Sequence, residues 1–202
     1  MGRNFVFTIT EIDMSTNSLV AYLRSDGSIV SSYVHYDGYE TGVGMTLLEH
    51  YNDDKSALGV AVGGYYSSLS EDLNESLEKS VHTEEVEMFD SMTEFEEYLM
   101  ENSHLEFGYL WTGGKWMVSS WTTTVEGTGP YAEYNSTWNG FHWLVTSFVR
   151  EGRKTVQRFR DLALEDNRDT AEYDEYANEL EVVVDKWHRY GMGEIATEAM
   201  AA

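Results

Sequence analysis

Two pairs of β-prone runs, each folded about a glycine turn, limit this chain to folds that contain a sheet built from hairpins. Residues 18–24 and 28–35 flank Ser25-Asp26-Gly27, and residues 105–112 and 115–122 flank Gly113-Gly114. Asp-Gly and Gly-Gly supply the positive φ that tight hairpin turns demand. Phe107, Tyr109, Trp111 and Trp116 fall where they would fill a sheet face or core. Residues 4–10 alternate in the same manner and predict a further strand, as do residues 81–89.

Helices are expected between and after these runs. Leu47, Leu48 and Tyr51 share one face of a helix over 45–51, capped by Thr41 or Thr46. Residues 56–69, broken by Gly59, Gly63 and Gly64, read as a short helix and a loop, and 70–79 as an acidic helix or ordered loop. Ser91-Met92-Thr93-Glu94 is a capping box, with Phe95, Tyr98 and Leu99 following at helical spacing, so that helix should reach about residue 102. The only proline, Pro130, follows Gly127 and Gly129 and marks a break. Beyond it, helical periodicity starts at residue 137. It continues through a basic amphipathic stretch to 164 and a helix over 169–190, striped by Tyr173, Tyr176, Leu180, Val183, Val184 and Trp187.

The expected class is therefore α+β: an antiparallel sheet with packed helices over residues 1–125, then a mainly helical region, a helical hairpin, over 126–202. Hydrophobic residues make up 42% of the 202-residue chain, which suffices for a packed core despite the charge. The start, MGRNFVFTIT, has no long apolar h-region, and no stretch approaches a membrane span, so a cytoplasmic protein is expected.

The formal net charge of −23 bounds the partners. Such a surface repels phosphate backbones and anionic membranes, so neither direct nucleic-acid binding nor membrane docking is expected. It attracts proteins with basic surfaces. Carboxylates are densest between residues 71 and 101, where Glu71, Glu75, Glu78, Glu84, Glu85, Glu87, Glu94, Glu97 and Glu101 stand against Lys79 alone. Glu71, Glu75 and Glu78 would line one helical face, and Glu94, Glu97 and Glu101 another. These residues form the candidate partner-binding face; the bland reading is a solvated surface suited to a saline habitat. Arg150, Arg153, Lys154, Arg158 and Arg160 make one helical face basic, which would answer acidic groups elsewhere in the chain or in a second copy, making a homo-oligomer a candidate assembly.

Chemistry-bearing motifs are sparse. No Walker motif, dinucleotide fingerprint, nucleophile elbow or His-Glu-x-x-His sequence is present, and there is no Cys for thiol chemistry or thiolate-bound metal. No catalytic residue, metal ligand or cofactor is assigned. The one candidate ligand loop is His35, Asp37, Tyr39, Gly42 and Gly44, joined by His50. His-x-Asp could supply half of a metal site and Gly-Val-Gly before a helix could cradle an anion. Loop-organising turn chemistry is the plainer reading.

The run Tyr33-Val34-His35-Tyr36-Asp37-Gly38-Tyr39-Glu40-Thr41-Gly42-Val43-Gly44, followed by Leu47-Leu48-Glu49-His50-Tyr51, resembles a family of uncharacterised bacteriophage proteins. Their pattern is His-Trp-Asp-Gly-Tyr-Pro-Glu-Gly-Val-Gly, then Leu-Leu-Glu-His-Tyr. Gly114-Lys115-Trp116 matches their closing strand more weakly, and Tyr36 and Glu40-Thr41 depart from the pattern. The resemblance implies a phage accessory protein acting on host machinery. Together with the charge, it sets the expected function: a non-enzymatic acidic protein that binds and modulates or inhibits a basic host protein by imitating DNA. The alternatives are a small-ligand, metal-binding or enzymatic role for the 35–44 loop, and a structural protein.

Overall fold

The computed structural model describes residues 15–78, 86–126, 133–165 and 171–201. The expected strand over 4–10 and the Gly127–Pro130 break lie outside them. The first hairpin forms as β1 (Asn17–Leu23) and β2 (Ile29–Val34), paired antiparallel about Gly27 at φ +89°. The second forms as β5 (Leu105–Thr112) and β6 (Lys115–Glu126), turning at Gly113 and Gly114, both with positive φ.

The hairpins join side by side, β1 against β5, and this pairing is parallel. A second parallel contact sets β3 (Tyr65–Tyr66) on β2, beside the antiparallel β4 (Glu87–Phe89). The sheet is thus mixed, not purely antiparallel. Antiparallel neighbours need only a tight turn, whereas the segment between β2 and β5 is long enough to cross over and return parallel on the far edge of β1. Its order is β3-β2-β1-β5-β6-β7, with β7 (Glu133–Trp138) and β8 (His142–Trp143) both on β6. Residues 137–143 were expected to be helical. Instead Trp138 pairs with Trp121, their rings meeting edge-on at 5.4 Å, and the i, i+3 spacing of Trp138, Phe141 and Leu144 only mimics a helix. The helix starts at Leu144.

Strand alternation divides the core between two faces. On one, Val20, Val34, Tyr109 and Trp116 pack beneath five elements. These are a turn of π-helix at Glu40–Gly44, α1 (Met45–His50), α2 (Asp54–Ala61), α5 (Leu144–Glu165) and α6 (Ala171–Ala201). Asp53 caps α2, accepting from the Lys55 and Ser56 amides at 3.0 and 3.1 Å. α3 (Leu73–Glu78) joins the same face through Leu73. On the other face Leu19, Ala21, Ile29 and Leu110 pack beneath α4 (Met92–Glu101), which contributes Phe95 and Leu99. α5 and α6 form the expected C-terminal helical pair, tied by Arg160 to Glu181. No described helix is long and apolar enough to cross a membrane.

Candidate functional site

The 35–44 loop is a clasp between the sheet and the C-terminal helices. Asp37 sits in the left-handed region at φ +60° and its carbonyl accepts from Val43 N at 2.8 Å. Tyr39 donates its hydroxyl to Asp37 Oδ1 at 3.1 Å. A Cβ on Gly42 would stand 2.3 Å from the Asp37 carbonyl oxygen, so only glycine closes this turn. Gly44 faces Leu144 and Tyr109, and the wholly buried Tyr109 donates to the Gly38 carbonyl at 2.8 Å. Glu40 is buried, and its carboxylate accepts from the buried Ser147 hydroxyl at 2.8 Å, 107 residues away on α5. Asp37, Tyr39, Gly42 and Gly44 are thus engaged in holding the loop to itself, to β5 and to α5.

The two histidines assigned to this loop part company. His50 lies on the many-helix face, its Nε2 3.9 Å from Glu71 Oε1. His35 follows β2 and lines a cleft on the α4 face. Among the described residues no three His, Asp or Glu side chains stand together as a metal site.

The acidic residues divide likewise. Glu71 and Glu75 are exposed around α3, and Glu78 closes that helix; Glu84 and Glu85 lie outside the described residues. Glu94, Glu97 and Glu101 are exposed on α4, across the sheet from α3. Glu94 also takes part in a variant of the predicted capping box. Its amide donates to Ser91 Oγ at 3.2 Å and its carboxylate accepts from Asp90 N at 2.7 Å. The acidic run therefore makes two separate surfaces.

Glu87 belongs to neither. It is half-buried on β4, where its Oε1 accepts from the Tyr98 hydroxyl at 2.7 Å and its Oε2 is buried with no hydrogen-bond partner among the described residues. Burial, then the Glu87 carboxylate, push the Tyr98 phenol up to about 12. The adjoining cleft, about 270 Å³, is walled by Tyr33, His35, Tyr65, Tyr98 and His104 over a floor of Leu19 and Leu105. Tyr33 stacks on Tyr65 with ring centres 5.4 Å apart, and its hydroxyl lies 3.2 Å from His35 Nδ1. Tyr33 lies near the end of β2 and His35 follows just beyond it, two positions on, a spacing visible in the sequence. Tyr65 and Glu87 arrive through the pairing of β3 and β4 with β2, which leaves no local mark in the sequence.

A larger polar cleft of about 770 Å³ opens between α5 and the base of the β6–β7 ribbon, lined by Glu40, Trp121, His142, Arg150, Glu151 and Lys154. Burial alone would raise Glu151. Hydrogen bonds from Arg150 and Lys154 outweigh it and hold this carboxyl below its ordinary range. These residues come from three distant segments, and only the basic helical face on α5 was apparent beforehand.

No protein family, curated protein or solved structure matches the chain.

Proposed function

We propose that the chain is a non-enzymatic acidic protein that docks on the basic surface of a partner protein, with α4 as the contact. The observation that carries this reading is the two-sidedness of α4. Phe95 and Leu99 are fully buried against the sheet, while Glu94, Glu97 and Glu101 stand exposed on the outside. Glu97 and Glu101 have no ion-pair partner among the described residues, so the charge is left unneutralised at a chain-wide −23. Such a field steers basic partners and weakens with salt. The resemblance at residues 33–51 supports a phage protein and hence a host partner, and a row of carboxylates in place of phosphates would serve as DNA mimicry. Because α3 and α4 pack on opposite faces of the sheet, the proposed contact is α4 alone and not the whole run from 71 to 101.

The test is capture from nuclease-treated bacterial lysate at physiological and at high salt, with wild type and Glu97→Lys/Glu101→Lys side by side. One stoichiometric basic protein, released by salt and missed by the variant, supports the proposal. Capture of nothing at either salt, or equal capture by both proteins, sinks it. If the captured partner holds DNA and this protein at once, docking survives and mimicry does not.

A small-ligand role is the second reading. The 770 Å³ cleft favours it, being of the size small molecules occupy and lined by charges of both signs.

A further inference from the structure

We infer that the cleft between α4 and the β2–β3–β4 edge is a socket for an alkylammonium or guanidinium cation, the side chain of a lysine or arginine on the docking partner. The inference rests on the docking reading, because the socket is built partly from α4 itself. Tyr98 lines the cleft from the same helix that presents Glu94, Glu97 and Glu101 to solvent.

Three features select a cation. The first is the carboxylate. Tyr98 occupies Glu87 Oε1, while Oε2 is withdrawn from water with no donor among the described residues. A desolvated carboxylate oxygen without a donor is costly. Since Oε2 is closed to water as it stands, a charged N–H entering the cleft would offset that cost by drawing the Glu87 side chain round toward the opening it lines. Tyr98 cannot relieve it further, since its single hydroxyl proton is already given to Oε1.

The second is the wall. Tyr33 and Tyr65 are stacked with ring centres 5.4 Å apart, and the His35 ring lies 6.5 Å from that of Tyr65. Electron-rich ring faces attract ammonium and guanidinium groups, and the more so where water is scarce. Leu19 and Leu105, each 1% exposed, supply an apolar floor for the aliphatic stem of such a side chain.

The third is size. At about 270 Å³ the cleft falls below the range of roughly 300–1,000 Å³ typical of drug-sized ligands. It suits one side chain, not a nucleotide or a lipid. An anion is unsuited to it, because Glu87 would repel it and no described Lys or Arg lines the walls.

The experiment titrates the full chain with N-acetyl-lysine methylamide, with the neutral, one-atom-shorter N-acetyl-norleucine methylamide, and with n-butylamine. The His35 and His104 ring protons are followed by NMR. The lysine derivative should shift these signals saturably while the norleucine derivative does not, and Glu87→Gln, which keeps an acceptor for Tyr98, should weaken lysine binding at least about tenfold. Equal response to the neutral norleucine derivative, no saturable shift, or unchanged affinity in Glu87→Gln overturns the socket. The first two outcomes come from the wild-type protein and do not depend on how the variant folds. Tighter binding of the lysine derivative than of butylamine supports a displayed side chain as the ligand, and the reverse supports the same cation site occupied by a free amine. Capture separates the two proposals. A partner held equally by wild type and Glu87→Gln, with no lysine binding, leaves docking standing and removes the socket. Lysine binding without any captured partner does the opposite.

Discussion

Tyr98 shows how one contact and partial burial hold a phenol in its protonated form. The phenol donates to a carboxylate in a partly buried setting, so its ionised form is disfavoured twice, by desolvation and by the neighbouring negative charge. Tyr66 and Tyr109 are raised as well, chiefly by burial. A phenol whose folded value lies above its unfolded value binds its proton more tightly in the native state. Its stabilising effect is complete below the unfolded value of about 10 and is lost as pH climbs toward the folded value. Stability measured by urea denaturation should therefore be level up to about pH 9 and fall steeply above about pH 10. In Tyr98→Phe the fall should be shallower between 10 and 12. An identical alkaline decline in that variant would mean that Tyr98 titrates as it would in the unfolded chain.

At the scale of elements, α4 offers the cleanest local test. Ser91 caps it through Glu94 N at 3.2 Å, with Glu94 reaching back to Asp90 N in place of the Ser91 amide. Ser91→Ala should cost about 1 kcal/mol in denaturant unfolding, within the range for lost N-caps. A neutral result would show that Glu94 alone holds the helix start. This helix was legible in advance because a cap and an i, i+4 apolar pair, Phe95 and Leu99, are local signals. The same holds for both hairpins, where Asp26-Gly27 and Gly113-Gly114 determine the turn and the flanking alternation determines the face. What escaped was non-local. No residue in β1 announces that its second neighbour is β5 rather than another hairpin strand, and Thr137–Trp138 pair with β6 because a partner strand continues to Glu126. The candidate site followed the same division. His35 and Glu87 were each visible, one as a loop histidine and one as an acid in a run, but their shared cleft exists only through β2–β4 pairing. The Asp37–Gly44 motif stood out for its turn chemistry, and turn chemistry is what it supplies. Its one unforeseen member was Glu40, whose hydrogen bond to Ser147 spans 107 positions.

For the whole molecule, the question is whether the C-terminal helices are an appendage or part of the core. Phe148, Leu180, Val184 and Trp187 belong to the same buried cluster as Val20, Tyr109 and Trp116, and the Trp187 indole and Lys186 both bond Glu49 on α1. Removing α5 and α6 would strip Leu144, Phe148, Leu180, Val184 and Trp187 from that cluster and take away the helix that packs on β6, leaving only α1 and α2 over Trp111 and Trp116 among the described elements. Folding of the two regions should therefore be coupled. Tryptophans lie in both, with Trp111 and Trp116 in the sheet and Trp187 on α6, so their fluorescence reports on the sheet and on its helical cover together. Far-UV circular dichroism is dominated by the helices. The two probes should follow one urea transition with one midpoint. Phe148→Ala, which empties a fully buried site on α5, should move both midpoints down together by an amount equivalent to about 3–5 kcal/mol. The opposing outcome is a helical signal lost first, with only the Trp187 part of the fluorescence change accompanying it and Phe148→Ala shifting only that early step. The C-terminal pair would then be a separately folding lid. The Glu40–Ser147 clasp would tether that lid, and the 770 Å³ cleft between α5 and the β6–β7 ribbon would lie across the line along which the two parts open.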